Sequence, residues 1–523
     1  MKKTITLLLA IILSNQMFCQ IENNPDWSMP SEDYYKTGKM MTTDSEGNAI
    51  LVGDRPAYLG NSFIFTQKYN VNGELLWERT DSSGVDWVWH KPRWVNTDSG
   101  NNVYVAGYQY TGTSDEYTLK IVAIKYDENG NLIWRKIIDH TWPSALPMRS
   151  ELDDENNFYI GTVGLSPGFR LLKLDNDGNI LVDVSNASSE NQSFTSMRLK
   201  DDMIVMTSYA GNGATLSATA FDTSGNFLWS KMITSRGGMD VEIDDNHNVY
   251  LLSQKDNQVS AQSNRDLVIF KLNEQGDLID TFAYDFGNST EFASRMTLVN
   301  NKISIIGQTI GLNQGYMDWL TLQIDLDGNT IWSATYDYME SNDEAPFWIS
   351  ALENGEVYVS GKGGPAYIDF NGSQYLQYVT LRYNNGNIVW RDTDIYQGYN
   401  GIVNAADNEC GVYVLGETSM TLNHYADECI TLSTNEGDSK NLENLSVYPN
   451  PASDKVTIPL NAIVNSEYSI AIVDAMGTLV EFIEHNQQSK NVVTIDVKHL
   501  ASGVYNIILQ DGENMRSEKM IKL

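Results

Sequence analysis

The chain has 523 residues, long enough for one large domain and a smaller one. Its 39 Gly, 28 Tyr and 12 Trp, with no extended stretch repeating apolar residues every three to four positions, make all-β the first expectation. A formal charge of −33 repels phosphate backbones and excludes nucleic acid as a partner.

Residues 1–19 read as a signal peptide, with Lys2 and Lys3 as the basic start, Ile5 to Leu13 as the apolar run and cleavage near Cys19 or Gln20. The run is too short for a permanent anchor. Gln16, Met17 and Phe18 are not the small residues that lipid attachment at Cys19 needs. No second apolar stretch of spanning length follows, so the mature chain is expected to carry no transmembrane segment.

From there a unit of about fifty residues repeats. One piece is a strand, a Gly turn and a second strand ending in Trp, as in Lys68 to Trp77, Lys125 to Trp134, Phe221 to Trp229, Ile324 to Trp332 and Tyr383 to Trp390. Degenerate copies at Leu174 and Leu272 keep the turn and lose the Trp; anchored on Tyr69, Tyr126, Leu174, Phe221, Leu272, Ile324 and Tyr383, the copies step by 57, 48, 47, 51, 52 and 59 residues. The alternating piece is an Asp, a turn and a strand closed by Gly or Ser, as in Asp44 to Gly53, Asp98 to Gly107 and Asp244 to Ser253. Together they describe four strands, a to d, with Asn-Gly or Asp-Gly supplying positive φ between c and d. A lone four-stranded sheet cannot bury two apolar faces, but radial stacking can, which is a β-propeller. The last unit has strand a (402–406), strand b (412–416) and a strand c placed at Cys429 to Asn435, but no Trp strand. Trp27 lies 17 residues before Asp44, close to the 19 and 21 residues separating Trp134 from Asp153 and Trp77 from Asp98. The amino-terminal segment therefore supplies the missing strand d, giving eight blades over residues 21–435, with seven as the alternative. On this alignment Cys410 and Cys429 sit about 15–20 Å apart at strand rise, beyond disulfide reach.

Residues 436–444 read as a polar linker, and 445–523 as a small Ig-like β-sandwich with strands at 455–459, 468–474, 478–484, 492–497, 504–509 and 517–523. This segment carries Tyr448-Pro449-Asn450-Pro451, Asp474-Ala-Met-Gly477, Leu500-Ala-Ser-Gly503-Val-Tyr505 and Lys519-Met-Ile-Lys522-Leu523. In these motifs it resembles the carboxy-terminal sorting domain of the bacterial type IX secretion system. The resemblance implies passage through the inner membrane by the signal peptide, outer-membrane translocation by the type IX machinery, and usually cleavage that leaves the cargo on the cell surface or released. It also implies a source among the Bacteroidetes.

Trp77, Trp134, Trp229, Trp332 and Trp390, with Trp27, are expected to pack between blades. The Ala220 to Trp229 segment resembles the tryptophan-docking motif of quinoprotein dehydrogenases, but the vicinal cysteines of that cofactor site are missing, so no cofactor is expected. Asp327-Gly-Asn-Thr-Ile-Trp332 is similar to a sialidase aspartate box with altered spacing, and no arrangement of arginines suggests the triad of that family. Acidic turns at Asp175 and Asp325 are too short for a calcium loop. The six histidines fall singly, so no metal site is expected, and neither a nucleophile elbow nor a phosphate loop is present.

One feature lies outside the repeat. Trp87, Trp89, His90, Arg93 and Trp94, joined by Trp142 and Trp348, fall on connections from strand d to the next strand a. Aromatic rings and positive charge there suggest a glycan or peptide groove, the alternative being rings that plug the channel. The function expected is a non-catalytic glycan- or protein-binding module. The alternative is a hydrolase or lyase acting on extracellular polysaccharide, distinguished by carboxylates converging on the channel.

Overall fold

Turn chemistry sets the strand limits. In the c–d turn of the fourth repeat, Asp222 Oδ1 accepts the backbone N–H groups of Ser224 (2.9 Å) and Asn226 (2.8 Å), while Asn226 Nδ2 donates to Asp222 Oδ2 at 2.8 Å. Gly225 closes the turn at φ +81°, where a Cβ is unfavourable. The same arrangement recurs at Asp127, Asp175 and Asp325, and in the a–b turns at Asp44, Asp98, Asp153 and Asp244. The carboxylates of Asp175 and Asp325 are thus engaged within their own turns. Asn385 and Gly386 both take positive φ, as a two-residue hairpin requires. In the c–d turns of the first six repeats only the Gly does, because the Asp or Asn side chain supplies the remaining hydrogen bonds.

In the computed structural model the described residues are 21–425 and 447–523, apart from 23–24, 31–35, 57–60, 83–87, 114–115, 141–147, 164–167, 188–191, 211–214, 258–263, 287–289, 311–315, 338–343, 369–373, 397–401, 407–410, 417–419, 460–467, 475–478, 486–491, 501–502 and 512–513. They are all-β. The signal-peptide residues, Trp87, Trp142, Cys410, Cys429, Gly477 and the 436–444 linker lie outside them.

Each repeat forms one antiparallel sheet in the order a-b-c-d, as in blade 2 with Val88–Thr97, Val103–Thr113, Glu116–Tyr126 and Leu132–His140. Strand a runs Thr37–Thr43 in blade 1, Met148–Leu152 in blade 3, Gln192–Lys200 in blade 4 and Gly238–Ile243 in blade 5. It runs Glu291–Val299 in blade 6, Ala345–Ala351 in blade 7 and Ile402–Ala406 in blade 8. Each strand a lies against the next around the circle, and that of blade 8 against that of blade 1. The molecule therefore contains an eight-bladed β-propeller. Its cores lie between blades: Tyr104 and Trp134 of blade 2 pack with Phe158 and Leu172 of blade 3, and Met203 and Trp229 of blade 4 with Val249 and Phe270 of blade 5. Burying each such side chain contributes about 1.5–3 kcal/mol.

Trp27–Pro30 closes the ring as strand d of blade 8, antiparallel to Thr421–Tyr425, with Trp27 opposite His424 and Pro30 opposite Thr421. Strand c of this blade is thus not Cys429 to Asn435. Tyr425 stands opposite Val412 as Tyr383 stands opposite Val357. The likeness of 429–435 to a strand c misplaced it, and the separation inferred for Cys410 and Cys429 loses its basis. Ile21–Glu22 adds a short parallel strand beside Trp390 and Arg391.

Residues 430–523 form a separate unit. Lys455–Pro459 pairs with Val492–Asp496, and a four-stranded sheet has the order Leu479–His485, Tyr468–Asp474, Gly503–Asp511, Asn514–Lys522. Val456, Ile495, Ile470, Ile507 and Met520 from both sheets share one core. Asn450 ties the Tyr-Pro-Asn-Pro segment to the last strand: its Nδ2 donates to Lys519 O at 2.5 Å and its Oδ1 accepts from Ile521 N at 2.8 Å.

Candidate functional site

Strand a carries a β-bulge at the same level in six blades, just before Met40, Trp94, Ser196, Asp240, Arg295 and Trp348. A bulge re-aims the side chain that follows it. Opposite each bulge, strand b carries a Gly or Ser. At Gly307 an added Cβ would stand 2.3 Å from Phe292 O, and at Gly361 2.3 Å from Ala345 O. The small residue is what lets the bulged backbone approach.

These strands surround a cavity of about 370 Å³ on the propeller axis, lined by residues of strand a from all eight blades. Trp94 and Trp348 meet there with ring centroids 6.0 Å apart. Arg149 lies over the Trp94 ring at 4.7 Å and Arg295 over the Trp348 ring at 4.0 Å. Arg149 bonds Asp240 at 2.7 Å and also Ser196. Asp240 further accepts from Ser196 Oγ (2.6 Å) and from the backbone N–H groups of Val241 and Met296 (both 3.1 Å). Arg198 grips Glu242 with two parallel bonds of 3.0 and 2.8 Å, and reaches Glu151 at 3.3 Å.

Such a network shifts every charge in it. Burial works to raise Asp240, but the charges of Arg149, Arg198 and Arg295 outweigh it and hold the carboxyl at about 2. Burial wins at Glu151 and Glu242, which lie above the ordinary carboxylate range despite Arg198. Burial opposes charge on Arg198 as well, yet Glu242 and Glu151 raise it above the usual guanidinium value. Burial, with Arg198 second, lowers Arg149. At Arg295 burial and then the Arg149 charge bring the value down to about 10.

Of the described residues singled out in the sequence, the structure brings only Trp94 and Trp348 together on the axis. Trp89 is 50% exposed and does not line the cavity. His90 is fully buried against blade 1; its backbone N–H donates to Ser62 Oγ at 2.7 Å, its Nδ1 lies 2.6 Å from Ser62 O, and burial lowers its pKa. Arg93 is the bulge residue itself and does not line the cavity either. Conversely, Arg149, Glu151, Arg198, Asp240, Glu242 and Arg295 were missed, and three of these are arginines that line the cavity. The available signal was positional, since each sits one to four residues before the end of strand a, near the places held in blade 2 by Asn96 and Trp94.

Trp77, Trp134 and Trp229 are buried, and each indole N–H donates to a carbonyl in the next blade, Glu128 O (2.9 Å), Asn176 O (3.0 Å) and Glu274 O (2.8 Å). Trp332 and Trp390 are buried too, stacked on Tyr383 and Tyr425 of the following blades at 5.5 and 5.1 Å.

Among known proteins, residues 446–523 match the family described as the secretion system C-terminal sorting domain. No curated protein matches the chain significantly. Solved structures similar to it include the Dos1 propeller (12% identity, 77% of this chain and 95% of that one, TM-score 0.46). Sqt1 of Chaetomium thermophilum is 9% identical over 76% of this chain and 96% of its own, TM-score 0.46. A protein of unknown function from Dyadobacter fermentans is 11% identical over 58% and 98%, TM-score 0.34. Among the described residues no helix is long and apolar enough to cross a membrane. Residues 446–523 are a type IX secretion sorting domain, and the chain is a secreted protein addressed to the cell surface, with an eight-bladed β-propeller ahead of that address.

Proposed function

We propose that the propeller is a non-catalytic binding module for extracellular glycans, with its recognition site in the axial cavity. A signal peptide at residues 1–19 takes the chain into the export route, and the sorting domain hands it to the type IX machinery. The observation that carries the reading is the pair Trp94 and Trp348, which presents aromatic surface beside charged and hydroxyl groups in a cavity of about 370 Å³. Ligand pockets of about 300–1,000 Å³ lined in this way suit small polar ligands. Every carboxylate of the axis is held by an arginine, and Asp240 at about 2 is no proton donor at neutral pH, which supports binding over turnover. Trp89, exposed on strand a of blade 2, offers a further aromatic surface outside the cavity.

The full chain on a glycan array tests this. Binding that Trp348→Ala weakens by about tenfold is expected, since a stacked ring contributes about 1 kcal/mol or more. No binding to any glycan would overturn it. The alternative, a polysaccharide hydrolase or lyase, is favoured by the carboxylates that meet at the axis, Asp240, Glu151 and Glu242: the two Glu lie above the ordinary range while Asp240 lies below it, a division that suits acid–base chemistry. Release of new sugar ends by the full chain, abolished in Glu151→Gln, would select the enzyme.

A further inference from the structure

We infer that the axial cavity takes a sugar bearing a carboxylate, a hexuronic acid residue, and that Arg295 is the group that holds the carboxylate. This rests on the binding reading above and names its ligand class. The argument is one of charge distribution. Arg149 takes Asp240, and Arg198 takes both Glu151 and Glu242, so two guanidiniums use up the three carboxylates of the axis. Arg295 is left over. Its Nε donates to Phe347 O at 3.0 Å and its plane lies over Trp348, which fixes the fork without neutralising it. No described carboxylate lies within ion-pair distance of Arg295, and its terminal N–H groups have no hydrogen-bond partner among the described residues although the side chain lines the cavity. A guanidinium so placed is preorganised for a bidentate carboxylate. Burial, and then the Arg149 charge, lower Arg295, and a bound anion would oppose both.

The rest of the cavity selects the body of the ligand. The opposite side carries net negative charge, and Glu151, with 24% of its side chain exposed, can accept hydroxyl donors. Because Arg198 already holds Glu151, an ammonium finds no free partner there, and a hydroxylated ring fits better than an amino acid. About 370 Å³ is at the small end for ligand pockets, so one or two sugar rings fit rather than a long chain.

Titration calorimetry of the full chain with the methyl glycosides of glucuronic and galacturonic acid, their methyl esters, and neutral glucose and galactose glycosides tests the inference. The esters keep the ring and every hydroxyl and remove only the charge. Expected is saturable binding of at least one uronate, at least about tenfold weaker for its ester and its neutral counterpart. Arg295→Met should abolish the difference between acid and ester, and Arg295→Lys should restore part of it. Equal binding of acid and ester, or an acid preference that survives Arg295→Met, overturns the inference. Binding of neutral sugars alone overturns it while leaving the module a glycan binder, and silence toward all sugars, with an empty array, sinks both readings.

Discussion

Trp229 occupies a place that its own blade does not complete. Its ring covers Gly276 in the c–d turn of blade 5, where a Cβ would meet the ring at 2.5 Å, and Gly276 itself stands at φ +79°. Trp77 covers Gly130 and Trp134 covers Gly178 in the same way, so the hairpins of blades 2, 3 and 5 each receive a ring from the blade before. The sequence shows the alternation of Gly and Trp but not that the two partners come from different repeats. Where the Trp is lost, Val182 covers Gly225 and Phe282 covers Gly328, substitutes that no residue-type pattern marks. Trp229→Ala should cost about 3–5 kcal/mol in urea unfolding. Gly276→Ala, which combines a left-handed backbone with a clash, should cost about 2–4 kcal/mol. A loss below about 1 kcal/mol for either would contradict this packing. His140 gives a pH signature: burial, then the Arg170 charge, lower it to about 4. The unfolded chain binds this proton near pH 6.5 and the folded one only near 4, so stability is full above 6.5 and falls as the pH drops between the two. The loss is about 3 kcal/mol, and His140→Phe should flatten the stability profile in that window.

The bulge is the element that makes an axial site out of a generic blade. From the sequence, the Gly or Ser closing strand b reads only as punctuation, because a bulge adds a residue to strand a without a residue type of its own. The register shows its purpose, since Asp240, Arg295 and Trp348 each follow a shift and each faces the cavity. Blade 8 shows no such shift among its described residues, and at Gly416 the nearest described atom to an added Cβ is 3.8 Å away. Gly307→Ala should therefore destabilise by about 1–3 kcal/mol and weaken ligand binding by displacing Arg295, while Gly416→Ala should stay within about 0.5 kcal/mol of the parent. Paired denaturation and calorimetry on the two variants check both halves. If the two behave alike, the bulge is not what positions Arg295.

At the scale of the whole molecule, the sequence shows the repeat, the number of blades and the carboxy-terminal address, because each is written in local residue patterns. The axial network is not so written: Arg149, Arg198, Asp240 and Arg295 come from four blades and meet only when the circle shuts. What shuts it is the segment Trp27–Pro30, whose partner strand lies nearly four hundred residues away. Ser28 Oγ donates to Asn423 Oδ1 at 2.7 Å, and Asp26 N donates to His424 O at 2.8 Å. If each of about four such bonds contributes about 1 kcal/mol, deleting residues 26–30 removes on the order of 4 kcal/mol. It also bares the edge of Thr421–Tyr425, an open template for another strand. The deleted chain should unfold at lower urea, associate in a concentration-dependent way by ultracentrifugation, and lose ligand binding although no cavity residue has changed. The sorting domain, with a core of its own spanning Val447 to Met520, should unfold at an unchanged midpoint and serves as the internal reference. An unshifted propeller transition would mean that blade 8 holds its place without the amino-terminal strand, and that the ring is shut by packing alone.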